Sequence, residues 1–335
     1  MLRKIVIENL GAFTQLSTEF APHLNIVCGE NGVGKSLLLD SVWFALAHKW
    51  SVGLVVPAAD SKIKCVAYTS HEGSTEYSAM FDRFEQEWVW SSSNFGNAGL
   101  VLYFMADGGL CFFDSIRGSS LTLSQHEIWN GKSDSDKVQC EGLVSDIVKW
   151  QNRGCEEFAV FGKILETLSP SGLNISLSSP MRISVDDVRD IPTVTMLYGN
   201  VPVLQASSGI RRVLTMAYCL TWVYFEHRQA CEMLGKDEDS KMTFIMDDVE
   251  ANLHPNWQKT MMKSILSAIS AMRGSYEGVQ MFISTKSPIV AESAKILFDS
   301  SLDKMFELCL KDSNGVMMED CLLDDLKILS SFTKI

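Results

Sequence analysis

Eight consecutive residues, Gly29, Glu30, Asn31, Gly32, Val33, Gly34, Lys35 and Ser36, follow the pattern G-x-x-x-x-G-K-[ST]. Glycines at this spacing let successive backbone N–H groups curl around a phosphate. Lys35 then supplies a point positive charge to the β and γ oxygens of a nucleotide, and Ser36 offers a hydroxyl to Mg²⁺. The flanking sequence fits that chemistry. An apolar run, Leu24–Cys28, enters the loop, and an amphipathic helix leaves it with its positive dipole end directed at the phosphates.

A second segment, Thr243-Phe-Ile-Met-Asp247-Asp248-Val-Glu250, is an apolar strand ending in carboxylates. Alone it reads equally well as a solvated strand end. Beside a phosphate loop it gains a role: Asp247, first after the strand, belongs in the Mg²⁺ shell. Asp248 is placed to orient or deprotonate an attacking water, and Glu250 is the alternative for that work. Ser207-Ser208-Gly209 opens a helix; alone it is an N-cap, yet a hydroxyl and free N–H groups at a helix start also form an anion site. Arg211 and Arg212 follow, either adding charge there or standing as solvated helix residues.

The elements that must hold these groups follow from periodicity. Lys4–Glu8 alternates as a strand, and Leu39, Val42, Trp43, Leu46, Ala47 and Trp50 recur at helical spacing. Lys62–Thr69, Tyr77–Phe84, Glu87–Trp90, Leu100–Met105 and Leu110–Asp114 are short strands separated by Gly and Ser turns, an antiparallel meander. Residues 133–168 carry a helical pattern. Ile210, Val213, Leu214 and Ala217 lie on one helix face, Trp257, Met261, Ile265, Leu266 and Ile269 on another, and Val279–Ser284 is an apolar strand. Strands over Met305–Lys311 and Val316–Leu322 follow. The fold class is α/β: a split P-loop core from residues 1–50 and 195–300, an antiparallel β-subdomain over 51–132, a helical insertion over 133–194, and C-terminal strands over 301–335 that complete the core.

Composition narrows the class. Apolar residues make up 46% of the 335, enough for a sizeable core, and charged residues only 21%, which disfavours disorder. The net charge of −12 disfavours a protein that coats nucleic acid through its overall field, though not one with a local basic groove. No apolar run reaches the roughly 18 residues of a membrane span, and Met1–Glu8 lacks a signal-peptide core. Nine cysteines without C-x-x-C spacing point to free or buried thiols in a reducing cytoplasm.

In this order, Ile5-Val-Ile-Glu-Asn-Leu-Gly-Ala-Phe13, the phosphate loop, Gln205-Ala-Ser-Ser-Gly-Ile-Arg-Arg212, Asp247-Asp-Val-Glu-Ala-Asn-Leu-His-Pro255 and Ser284-Thr-Lys-Ser-Pro288 resemble the N-terminus, Walker A, signature, Walker B/D-loop and switch segments of ABC-type ATPases of the RecF/SMC/OLD group. Within it the chain is most similar to stand-alone anti-phage defence ATPases of the Septu type. The resemblance implies two heads sandwiching two ATP molecules, with Ser208 and Gly209 of one head reaching the γ-phosphate held by the other. It also implies a separate effector protein, a nuclease, and DNA as a further candidate partner.

Two departures bear on rate. The family has Glu where this chain has Asp248, and His where it has Lys286, which can touch a γ-phosphate but is a poor base at neutral pH. A positioned base contributes about 10²–10⁴-fold, so slow hydrolysis is expected. The family's Q-loop glutamine has two candidates, Gln125 and Gln151. Trp88 and Trp90 could stack on bases, but cross-strand packing is the simpler reading. The leading reading is an ATP-holding regulatory switch. A RecF-like DNA-maintenance ATPase and a non-hydrolysing scaffold or inhibitor are the alternatives. A membrane-transporter subunit would keep an L-S-G-G-Q motif and the switch His, which are missing. Only 49 residues follow Lys286, too few for a Toprim nuclease domain, and no heptad run marks an SMC coiled coil.

Overall fold

The computed structural model describes residues 1–51, 61–68, 74–92, 97–169, 175–238, 240–273, 277–311 and 315–320. In chain order these form β1 (Leu2–Leu10), β2 (Phe13–Glu19), β3 (Leu24–Gly29), α1 (Lys35–Ala47), β4 (Lys62–Tyr68), β5 (Ser74–Asp82), β6 (Glu87–Trp90), β7 (Leu100–Phe104), β8 (Leu110–Asp114) and β9 (Ser119–Leu123). There follow α2 (Gln125–Asn130), β10 (Lys132–Asp134), β11 (Lys137–Cys140), α3 (Leu143–Arg153), α4 (Glu156–Leu168), β12 (Ser176–Met181), β13 (Ile191–Met196) and β14 (Gly199–Pro202). The chain continues through α5 (Ser208–Leu234), β15 (Met242–Met246), α6 (Pro255–Arg273), β16 (Val279–Thr285), α7 (Pro288–Lys295), β17 (Asp303–Lys311) and β18 (Gly315–Asp320).

One sheet of eight strands, ordered β18-β17-β3-β16-β15-β7-β8-β9, carries the core. Its central members β17, β3, β16, β15 and β7 are parallel, which is why they read as nearly continuous apolar runs. Alternate residues go to opposite faces. Ile26, Phe244, Met246, Met281 and Ile283 pack under α3–α6. Val27, Ile245, Phe282 and Phe306 pack against α1 and a second sheet, ordered β2-β1-β4-β5-β6.

α1 lies between the two sheets and is therefore buried nearly all round, including Leu38, Leu39, Val42, Phe44 and Leu46. It stops at Ala47, where His48 adopts φ 59°, so Trp50 is not on the helix. Trp50 folds back instead and stacks on Phe44 at 4.3 Å, in one cluster with Trp88 and Trp90. The two strand tryptophans thus belong to core packing rather than to a base-stacking platform.

The sheets divide the chain differently from the sequence expectation. β7, expected in the antiparallel meander of 51–132, pairs parallel with β15, and β8 and β9 extend the core sheet; β1 and β2 join β4–β6. The pattern of 133–168 holds helices only from Leu143, because Lys132–Asp134 and Lys137–Cys140 form a hairpin first. β12–β14 form a small sheet of their own inside and just beyond the expected helical insertion. The expected strand over Val316–Leu322 is β18, and the part of that expectation after Asp320 lies outside the described residues. Six of the eight described cysteines are buried. Among the described residues no helix is long and apolar enough to cross a membrane.

Gln280, wholly buried on β16, ties the sheets together. Its Oε1 accepts from the Leu2 N–H at 2.8 Å, and its Nε2 donates to the carbonyls of Leu2 (2.8 Å) and Ala21 (2.9 Å). Gln280→Leu would strand these backbone groups inside the protein. It is expected to cost about 2–4 kcal/mol of stability, read as a fall in denaturant midpoint with an unchanged slope.

Candidate functional site

Parallel pairing brings three strand ends level. Gly29 ends β3, Asp247 follows β15, and Thr285 ends β16 between them, with Thr285 opposite Cys28 and Ile283 opposite Met246. Each end carries one of the segments singled out in the sequence, at the C-terminal edge where α/β sheets bind ligands.

The loop from Gly29 to Gly34 is shaped by its glycines. Gly34 takes φ 97° as the N-cap of α1, and Gly32 takes φ 84° with open space where a Cβ would be. A Cβ on Gly29 would meet the Leu308 carbonyl oxygen at 2.6 Å, so the entry to the loop admits no side chain. Lys35 is 6% exposed and curls back over the loop. Its Nζ donates to the carbonyls of Gly29 (2.9 Å) and Glu30 (2.7 Å). That places an ammonium, the loop N–H groups and the start of α1 around one point, the arrangement a nucleotide phosphate needs. Val33 is buried and anchors the loop, whereas Glu30, Asn31 and Ser36 are exposed. Ser36, in the first turn of α1, and Asp247 would hold Mg²⁺. Both offer oxygen donors, as that cation requires, and Asp247 is a nearly buried carboxylate.

The switch segment grips the acids of the neighbouring strand. Ser284 Oγ donates to Asp247 Oδ1 at 2.5 Å and accepts from the Asp248 N–H at 2.8 Å. Both oxygens of Glu250 are engaged. One accepts from Thr285 Oγ1 at 2.7 Å, the other from the Lys286 N–H at 2.8 Å. Glu250 is 5% exposed, so the geometry gives it a positioning part instead of the water-facing one weighed from the sequence. Asp248 faces outward with φ 44°, and its Oδ2 accepts from Lys286 Nζ at 2.8 Å. That hydrogen bond holds the Lys286 ammonium above its ordinary pKa, against a smaller effect of burial.

Of the two readings weighed for Arg212, the solvated helix residue does not hold: desolvation by burial pulls its pKa down, it donates to the Met105 carbonyl at 3.3 Å, and it feels the charges of Asp107, Asp247 and Asp248. Arg211, by contrast, lies over the Trp129 ring at 5.3 Å. Asp40, one turn along α1 from Ser36, accepts from Ser51 Oγ at 2.7 Å; burial raises its pKa, with Asp247 adding repulsion. A lone acid in the apolar run Leu37–Leu46 was the available signal.

At the signature segment Ser207 and Ser208 are exposed and Gly209 is buried. A Cβ on Gly209 would lie 2.8 Å from Trp257 and 3.2 Å from the Asn252 carbonyl oxygen, so signature and D-loop touch within one chain. Gln125 lies beside Gly108 in the turn after β7, next to the Walker B strand, whereas Gln151 donates to the Ser178 carbonyl at 3.2 Å in the helical part. His254 accepts from the Asn256 N–H at 3.2 Å as α6 begins.

The two acids should separate in a stability assay. Glu250→Ala leaves Thr285 Oγ1 and the Lys286 N–H without their acceptor and is expected to cost about 2–4 kcal/mol. Asp248→Ala removes a half-exposed pair and should shift stability by less than about 1 kcal/mol. Equal shifts for the two variants in chemical denaturation would refute the division of roles.

Residues 4–52 match the AAA domain family. The sequence is 23% identical to the Septu protein PtuA of Bacillus thuringiensis over 322 residues, 88% of this chain and 74% of that protein. The fold is similar to that of an Smc head bound to the C-winged helix domain of ScpA, with a TM-score of 0.53 at 13% identity, covering 98% of this chain and 99% of that one. It is also similar to the recombination mediator RecF with ATP, with a TM-score of 0.51 at 14% identity, covering 96% and 99%. These likenesses show that the chain shares the fold of Smc heads and RecF.

Proposed function

We propose that this protein binds Mg²⁺ and ATP, dimerises around them, hydrolyses ATP slowly, and through that cycle controls a separate effector, a nuclease, in bacterial anti-phage defence. The observation that carries the reading is the phosphate loop, with Lys35 opening α1, beside the adjacent strand ends that carry Asp247, Asp248 and Lys286, with the signature serines exposed elsewhere on the same head. In this reading Mg²⁺ supplies neutralisation of phosphate charge. Lys35 and the loop N–H groups bind the β- and γ-phosphates; Ser36 and Asp247 hold the cation. Asp248 receives the proton of the attacking water. It does so poorly, being one methylene shorter than the family's Glu. Ser208 and Gly209 complete the pocket of a second copy, with the dipole of α5 behind them. The likeness to PtuA along most of both chains supports the defence setting. The likeness to RecF with ATP keeps DNA maintenance as a second reading, which requires hydrolysis stimulated by DNA and steeply weakened by salt.

Four measurements test the proposal. Purified protein should turn over at less than about 1 per second, below the ~10 per second of a typical enzyme; tens per second without a partner would refute the slow switch. Lys35→Ala should lose ATP affinity by about tenfold or more, the worth of hydrogen bonds to a charged group. Ser208→Arg should keep ATP binding in the monomer but abolish the ATP-dependent dimer seen by light scattering. Co-purification with products of neighbouring genes, with and without ATP, decides between a nuclease partner and nucleic acid.

A further inference from the structure

The Lys286–Asp248 pair is built differently from the other contacts of the site. The backbones at both of its ends are pinned. The Lys286 N–H is held by Glu250, and the Asp248 N–H by Ser284 Oγ. The side chains are free to part: they are 41% and 22% exposed, and they meet through a flexible four-carbon stem. β16 lies directly between β3 and β15, so this stem emerges between the phosphate loop and the Walker B acids. Other groups near Asp248 keep their own partners. Ser284 bonds Asp247, and Arg212 is buried against the Met105 carbonyl. Among the described residues Lys286 is the one cation recorded in an ion pair with either Asp247 or Asp248.

We infer that Lys286 is a latch. Its ammonium occupies Asp248, the group assigned to the attacking water, and a nucleotide carrying a γ-phosphate draws the ammonium away. Binding of a triphosphate, and not of a diphosphate, thereby frees the carboxylate. Substrate and general base thus compete for one cation. The protein cannot arm its base until the anion to be cleaved has arrived. The inference rests on the ATP-binding reading above. It assigns Lys286 a part beyond contact with phosphate, as a positioning residue that holds Asp248 until a γ-phosphate competes for it.

The test is a thermodynamic cycle on nucleotide affinity, measured by calorimetry in Mg²⁺ with ATP and with ADP, so that turnover is not the readout. Four proteins are compared: wild type, Asp248→Asn, Lys286→Met, and the double variant. Asp248→Asn should release the lysine and tighten ATP by about three- to fivefold, the scale of an exposed ion pair, leaving ADP unchanged. Lys286→Met should weaken ATP and not ADP. In the Lys286→Met background Asp248→Asn should then have no effect, and Lys286→Arg should preserve the coupling. Equal tightening by Asp248→Asn in both backgrounds would mean simple repulsion between carboxylate and phosphate and would overturn the latch, with ATP binding intact. A wild-type protein that binds neither nucleotide would overturn the latch together with the reading beneath it.

Discussion

Backbone hydrogen bonds hold β16 between β3 and β15 in one register, with Thr285 opposite Cys28 and Ile283 opposite Met246. The chemistry of the site depends on this alignment. A slip of one residue would turn Ser284 and Thr285 to opposite faces and detach both from Asp247 and Glu250. The apolar alternation along the same strands guards the register. Met281 and Ile283 must enter one core layer and Phe282 the other, so a slip would also move three large side chains to the wrong layer.

On that frame, charge is distributed by access to water. Glu250, the most enclosed of the outer acids, is satisfied by a hydroxyl and an N–H, so it costs little to bury and holds the switch in place. Asp247 shares its carboxylate with Ser284 and sits among the charges of Asp40 and Arg212. Asp248 and Lys286 stand at the rim, where their pairing is weak enough to be exchanged. Rigidity therefore rises from the rim inward. The groups that must stay fixed are buried and fully partnered, and those that must change partners are wet.

How much of this was legible in the sequence follows from how local each feature is. The phosphate loop, the Asp247–Glu250 segment and the switch are contiguous, and their residue types state their chemistry. Three kinds of feature depend on the folded context rather than on residue type and spacing. β7 looks like any other short strand of the meander; what makes it a core strand is its parallel partner β15, some 140 residues later. Trp50 continues the helical spacing of α1 on paper, but His48 turns left-handed and the stack on Phe44 decides the path. Arg212 looks identical to its neighbour Arg211 in a list of residues. One helical step of about 100° sends one over an aromatic ring and the other beneath the Walker B acids.

The Leu308 carbonyl of β17 stands where a Cβ of Gly29 would have to go. The same strand is paired with β3 along its length and with the β18 hairpin on its outer side. The outer strands are therefore the back wall of the entry to the loop: the glycine at position 29 is required by a carbonyl about 280 residues away in the chain, so this end of the sequence shapes a loop it never joins.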